Sequence, residues 1–196
     1  MRFSKTAKRV LSLAVALAVV ATSATVPQAA KKADAASSYN AYLCLATGKW
    51  TFRNNHDDSK FSSKLQNTTN KLSSKAKSAK FTNASMKTSK KGSTYTVKLT
   101  GLKKGVISND KSFNTLYVDT TIPGTMAKKV TFSNVSVKFD GKTVKTFKKG
   151  ITTPDPGKTN GFVQLQIINT WNNRVPKFKY SMPKSSIEVT YTIKVK

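Results

Sequence analysis

From Tyr39 onward the chain is dominated by apolar and polar residues alternating with a period of two. That spacing puts alternate side chains on opposite faces of a β-strand. Asn40–Thr47 and Lys49–Arg53 make a first pair of strands, with Gly48 between them. Ser93–Thr100 places Tyr95, Val97 and Leu99 on one face and Thr94, Thr96 and Lys98 on the other, and Gly101 ends it. Phe113–Thr120 follows. In Lys129–Asp140 the phase changes: Val130 and Phe132 share one with Asn134, Ser136 and Lys138, while Val135, Val137 and Phe139 take the other. A switch near Ser133–Val135 predicts a bulge or a crossing between sheets. Asp140-Gly141 predicts a two-residue hairpin into Lys142–Phe147. Phe162–Asn169 and Ile187–Lys196 complete the set, the last with Ile187, Val189, Tyr191, Ile193 and Val195 on one face.

About eight short strands with turn residues between them predict an all-β protein, an antiparallel β-sandwich of jelly-roll or immunoglobulin/fibronectin-III-like type. No helices alternate with the strands, which argues against a parallel α/β sheet. Thr121–Gly124, Thr153–Gly157 and Met182-Pro183 read as loops because of their prolines. The segment 59–92 differs, being rich in Ser, Lys, Thr and Asn. Phe61, Leu65, Thr68, Leu72, Ala76 and Ala79 recur at helical spacing, so either one short helix or a long polar loop fits. Lys80–Met86 is a further strand candidate.

The first 35 residues stand apart from this pattern. A basic start (Arg2, Lys5, Lys8, Arg9) leads into the apolar run Val10–Ala21 and then into small residues. This is the layout of a secretory signal peptide. The run is shorter than the roughly 20 residues a bilayer-spanning helix needs. Cleavage is expected after Ala35 or after Ala24, leaving residues 36–196 as one secreted, extracellular β-sandwich domain with no transmembrane segment.

Charge changes the picture most. The chain has 35 basic and 8 acidic residues, a formal +27. Six basic residues and one acid leave with residues 1–35, so the remainder carries +22. Arg53 and Arg174 are its only arginines. Lysine is a hydrated point charge without arginine's planar fork, so it implies diffuse attraction to polyanions. The expected partners are an anionic glycan or cell-wall polymer, with association to the wall by charge. Nucleic acid would bind only non-specifically. Cys44 is the lone cysteine, so no internal disulfide forms. It alternates in phase with Tyr42 and Ala46, and a buried inert thiol is expected there.

No catalytic constellation emerges. His56 is the sole histidine and Glu188 the sole glutamate, and no serine has nucleophile-elbow glycines. The expectation is a protein that is not an enzyme. Asn54, Asn55, Asp57 and Asp58 are the densest oxygen-ligand cluster, and calcium is the cofactor such a loop would take. The competing reading is a turn capped by the aspartates. With one histidine and one cysteine, zinc is weaker.

The aromatics carry the other signal. Trp171 sits among Asn169, Asn172, Asn173 and Arg174 just past a strand. A ring that stacks on a sugar face beside amides that bond hydroxyls makes a ligand site. Tyr180, in Lys177-Phe178-Lys179-Tyr180, is a weaker candidate, and Trp50 is expected to pack between the sheets.

Lys49–Asn54, Ser93–Leu102 and Phe113–Thr120 together resemble a β-sandwich module of secreted proteins of Gram-positive, gut-type Firmicute bacteria. Such modules are similar to carbohydrate-binding and fibronectin-III-like domains. The resemblance implies a non-catalytic extracellular binding module. Residues and resemblance together lead to an expected monomer that binds polyanionic or glycan surfaces through a lysine field and the aromatic patch at Trp171. The alternatives are a secreted domain acting on a protein partner and a membrane-active cationic protein.

Overall fold

The computed structural model describes residues 38–53, 66–67, 78–87, 89–154 and 161–196. The expected signal segment lies outside the described residues, as do residues 59–65 and 68–77 of the segment 59–92 expected to be a short helix or a long polar loop; within that segment, residues 66–67, 80–82 and 84–87 are strands.

The protein is an all-β sandwich of two antiparallel sheets. Its strands are β1 (Ser38–Thr47), β2 (Thr51–Arg53), β3 (Gln66–Asn67), β4 (Lys80–Thr82), β5 (Ala84–Lys87), β6 (Ser93–Thr100), β7 (Phe113–Pro123), β8 (Val130–Phe139), β9 (Lys142–Lys149), β10 (Ile151–Pro154), β11 (Phe162–Asn169) and β12 (Ile187–Val195). Sheet A runs β10-β11-β7-β1-β2-β3, with β5 also paired to β1. Sheet B runs β4-β6-β12-β8-β9. Among the described residues the one helical turn is a 3-10 turn at Gly124–Met126.

The alternation seen in the sequence becomes the core. Leu43 and Leu45 of β1, Leu116 and Val118 of β7, and Leu165 and Ile167 of β11 face Val97 and Leu99 of β6 and Val189, Tyr191 and Ile193 of β12. Each of these side chains is buried, and a large aliphatic or aromatic side chain fully buried contributes about 1.5–3 kcal/mol. The Tyr191 hydroxyl donates to the Met86 sulfur at 3.1 Å, across from sheet B to β5 of sheet A. Burial pushes this phenol far above its usual titration range.

The phase switch in β8 is a bulge. Thr190 pairs with Ser136 and Thr192 with Ser133, so Asn134 and Val135 together oppose Tyr191. Asn134 takes the left-handed conformation, φ 49°, which asparagine tolerates better than most residues. The extra residue lets Val130 and Phe132 point inward on one side and Val135, Val137 and Phe139 on the other. Asp140-Gly141 forms the expected tight hairpin, with φ of 50° and 80° at its two residues.

Several boundaries move. β7 continues through Thr121–Pro123 instead of ending in a loop, since Ile122 is buried and Pro123 pairs with Phe162 at the strand's end. A missing N–H is tolerated at that place. Thr153 and Pro154 likewise belong to a strand, β10. The single strand expected over Lys80–Met86 is two: β4 pairs with β6 in sheet B, β5 with β1 in sheet A. The chain changes sheets at Asn83. It does so again at Gly150, whose N–H donates to Phe132 O at 2.9 Å. A Cβ at Gly150 would crowd Leu165, Phe132 and Val135, so a larger residue passes between the sheets there only if these side chains shift.

Candidate functional site

The site is built where β11 ends and β7 begins. Past Asn169 the chain turns through Thr170–Val175 and then runs without regular secondary structure to Pro183. Two asparagines make the turn. Asn169 Oδ1 accepts the Trp171 N–H at 2.9 Å, and Asn172 Oδ1 accepts the Arg174 N–H at 3.1 Å. Both bonds reach two residues on, the Asx-turn habit of asparagine. Asn169 also donates from Nδ2 to Gln166 Oε1 at 2.8 Å. The asparagines around Trp171 therefore serve the backbone first: Asn169 has both ends of its amide engaged within the fold.

The turn holds Trp171 outward. At 75% exposure it is the exposed large hydrophobic side chain among the described residues. Asn173 and Arg174 are exposed beside it, Asn172 is half-buried, and Val175 turns inward. Beyond it, Phe178, Tyr180 and Met182 face the body of the sandwich while Lys177, Lys179 and Ser181 face out. This alternation is strand-like, yet the segment joins neither sheet. Aromatic contacts and one hydrogen bond tie it down. Tyr180 Oη accepts the Phe113 N–H at 3.1 Å. Burial pushes the Tyr180 phenol above its usual range, and the bond from Phe113 only partly offsets this. Tyr180 lies 5.8 Å from Phe113, 5.6 Å from Phe139 and 5.4 Å from Phe178, and Phe178 lies 6.0 Å from Phe147 on β9. These are favourable tilted and edge-on separations.

Between this segment and the ends of β7 and β11 lies a cavity of about 520 Å³. Its apolar wall is Phe113, Ile168, Val175, Pro176, Phe178 and Tyr180. Lys111, Lys177 and Lys179 also line it, and all three are exposed. No acidic side chain lines it. Of the residues singled out by sequence, Asn169 and Tyr180 line the cavity. Trp171, Asn172, Asn173 and Arg174 form the loop whose two flanks, Thr170 and Val175, also line it. Sequence reasoning missed Phe113, Phe178 and the three lysines. The alternation in Lys177–Tyr180 signalled the second half of the site, but nothing local tied it to Lys111-Ser112-Phe113 more than sixty residues earlier.

The expected calcium ligands Asn54, Asn55, Asp57 and Asp58 lie outside the described residues. Among the described residues no group of three or more His, Cys, Asp or Glu could hold a metal. Two of the described acids, Asp140 and Glu188, are held in structural bonds. Asp140 accepts N–H bonds from Lys184, Ser185 and Ser186 and a bond from the Ser185 hydroxyl, at 2.7–3.1 Å. Partial desolvation would raise its pKa, but those donors together hold it below the usual value. Glu188 sits between Lys98 at 2.6 Å and Lys138 at 3.1 Å, and the Lys98 bond leads in lowering its pKa. Cys44 is fully buried beside Tyr42 and Tyr117. Trp50 is half-buried against the core, held by a turn in which Thr47 Oγ1 accepts the N–H groups of Lys49 and Trp50.

The class defined by these features is a two-sheet all-β sandwich with a lysine-lined aromatic cavity at one end. Comparison of the chain with protein-family models, with curated proteins and with solved structures finds no match.

Proposed function

We propose that this is a secreted, non-catalytic binding protein for polyanionic or glycan surfaces such as cell-wall polymers. In this reading residues 1–35 direct export and are removed. The lysine field draws the protein to an anionic surface, and Trp171 adds a stacking contact once it arrives. The carrying observation is the exposed Trp171 standing beside a lysine-lined end of the sandwich with no acid in its lining. A tryptophan at 75% exposure contributes little to the fold by burial, and its ring is open to stack on a sugar face. The engagement of Asp140 and Glu188 in structural bonds supports a role without turnover. The edge strand β9 carries Lys142, Lys145, Lys148 and Lys149, which guards that edge against pairing and supports a monomer.

The test is binding of the purified protein to an array of neutral glycans, acidic glycans, wall polymers and anionic lipids at low and high salt. Binding confined to anionic members and weakened by salt is expected, because the Debye length shrinks from about 10 Å at 0.1 M to about 3 Å at 1 M salt. A blank array at low salt would overturn the reading and favour a protein partner.

A further inference from the structure

Beyond surface binding, we propose that the cavity between β7, β11 and the 174–183 segment is a distinct site for a small amphipathic organic anion. The ligand class is an aromatic or alicyclic body carrying one carboxylate or sulfonate. At about 520 Å³ the cavity has the size of a small-molecule site. Its interior is apolar: Phe113 and Val175 are buried, and Ile168, Phe178 and Tyr180 are half-buried around it. That wall suits a ring system, which would gain offset or edge contacts with Phe178 and Tyr180.

The polar groups of the lining discriminate against a neutral sugar. Hydroxyl-rich ligands need free amides and carboxylates. Here the Asn169 amide is committed at both ends, to Trp171 and Gln166. Tyr180 Oη already accepts the Phe113 N–H. Ser112 and Thr170 are the lining hydroxyls besides Tyr180, and no carboxylate is present. The remaining polar groups of consequence are the ammonium groups of Lys111, Lys177 and Lys179. Three like charges around one apolar opening, without a counter-charge in the lining, complement a single anionic head on an apolar body. The site does not depend on the surface-binding role, and Trp171 is not among its lining residues.

Titration of the full chain with 1-naphthalenesulfonate, followed by calorimetry, tests this. The neutral 1-naphthalenesulfonamide and inorganic sulfate serve as comparison probes. Saturable one-to-one binding of the sulfonate is expected, with both comparison probes much weaker. The K177Q/K179Q double variant should weaken binding by roughly five-fold or more, in line with the loss of two surface charge contacts. The K90Q/K91Q variant, in the turn between β5 and β6, removes the same charge from residues that do not line the cavity and should leave affinity within two-fold. All four lysines are solvent-facing or half-buried, and unchanged thermal unfolding of each variant checks the fold. Equal losses in the two double variants would overturn the site in favour of the diffuse field. So would equal binding of the sulfonamide, or no binding of the sulfonate at millimolar concentration. Because Trp171→Ala spares the cavity, sulfonate binding should survive it even where glycan binding is lost.

Discussion

On the outer face of sheet A, Tyr42, Cys44, Tyr117, Asp119, Gln164 and Gln166 are each no more than 8% exposed. On the outer face of sheet B, Thr96, Lys98, Ser136, Lys138, Glu188, Thr190 and Thr192 are half-buried and Thr94 is exposed. Both faces are built by the same rule, polar residues in the outward phase of alternating strands. Yet the residues differ in kind. β1, β7 and β11 contain no lysine, although lysine dominates the chain, whereas β6, β8, β9 and β12 each contain at least one. On sheet A, Gln166 donates to Gln164 at 2.7 Å and Asn169 donates to Gln166, an amide chain that meets its own needs. On sheet B, Thr94–Thr192 and Thr96–Thr190 pair across strands at 3.0 and 2.8 Å, and Lys98–Glu188–Lys138 forms a charged row. Amides and phenols that bond one another tolerate loss of water; ammonium groups do not. The absence of lysine is therefore the mark of the buried face.

The largest expected effect comes from breaking that contrast. Gln166→Lys would place an ammonium at a position 6% exposed and cut the amide chain. It should cost on the order of 3–5 kcal/mol, as an uncompensated buried charge does. Ser136→Lys on sheet B should stay within about 0.5 kcal/mol, the usual range for surface changes. Urea unfolding of the two variants side by side measures the difference, and equal costs would deny the contrast. Next in size is Gly150→Ala, at the crossing between the sheets. Its methyl meets Leu165, Phe132 and Val135, and overpacking of this kind costs about 1–3 kcal/mol. Thermal unfolding checks it.

Smaller effects belong to the charged groups of the sheet B side. Asp140→Ala removes the clamp on Lys184–Ser186 and strains a residue at φ 50°. A loss of about 1–2 kcal/mol is expected for charge-assisted bonds at an exposed turn. Because Asp140 titrates below its ordinary 3.8 in the folded protein, its contribution is complete above that value. It fades as pH falls through the lowered folded value, so the gap between wild type and variant should narrow in acid. Glu188→Gln should cost less than about 1 kcal/mol, because both its lysine partners are solvent-accessible, and its effect should shrink with added salt. Smallest of all, Trp171→Ala should leave stability within about 0.5 kcal/mol while weakening glycan binding. A large loss of stability there would mean that Trp171 belongs to the fold rather than to a partner.

Much of this molecule is legible in its sequence, because strand alternation and turn chemistry are local. β6 and β12 carry their buried residues in single phases, and the double phase of β8 left a bulge or a sheet crossing near Ser133–Val135, of which the structure has the bulge. Asp140-Gly141 specified its hairpin, since few residue pairs accept two positive φ angles. Half of the candidate site was legible as well, through Trp171, Asn169 and Tyr180. Its role for the asparagines was not: amides that look like ligand groups in a sequence were engaged by the backbone two residues on.

Local pattern set which residues of β6, β8 and β12 face inward, the hairpin at Asp140-Gly141, and the excess of positive charge. Tertiary structure alone decided the partition of strands between sheets, with β4 and β5 separating at Asn83 and β9 and β10 at Gly150. Alternation defines a face of a strand but carries no information on which sheet that face will meet. It alone also brought Lys111 and Phe113 to Lys177, Phe178 and Tyr180, forming one cavity from two distant segments. Such contacts depend on burial summed over the whole core, which no short window of sequence contains.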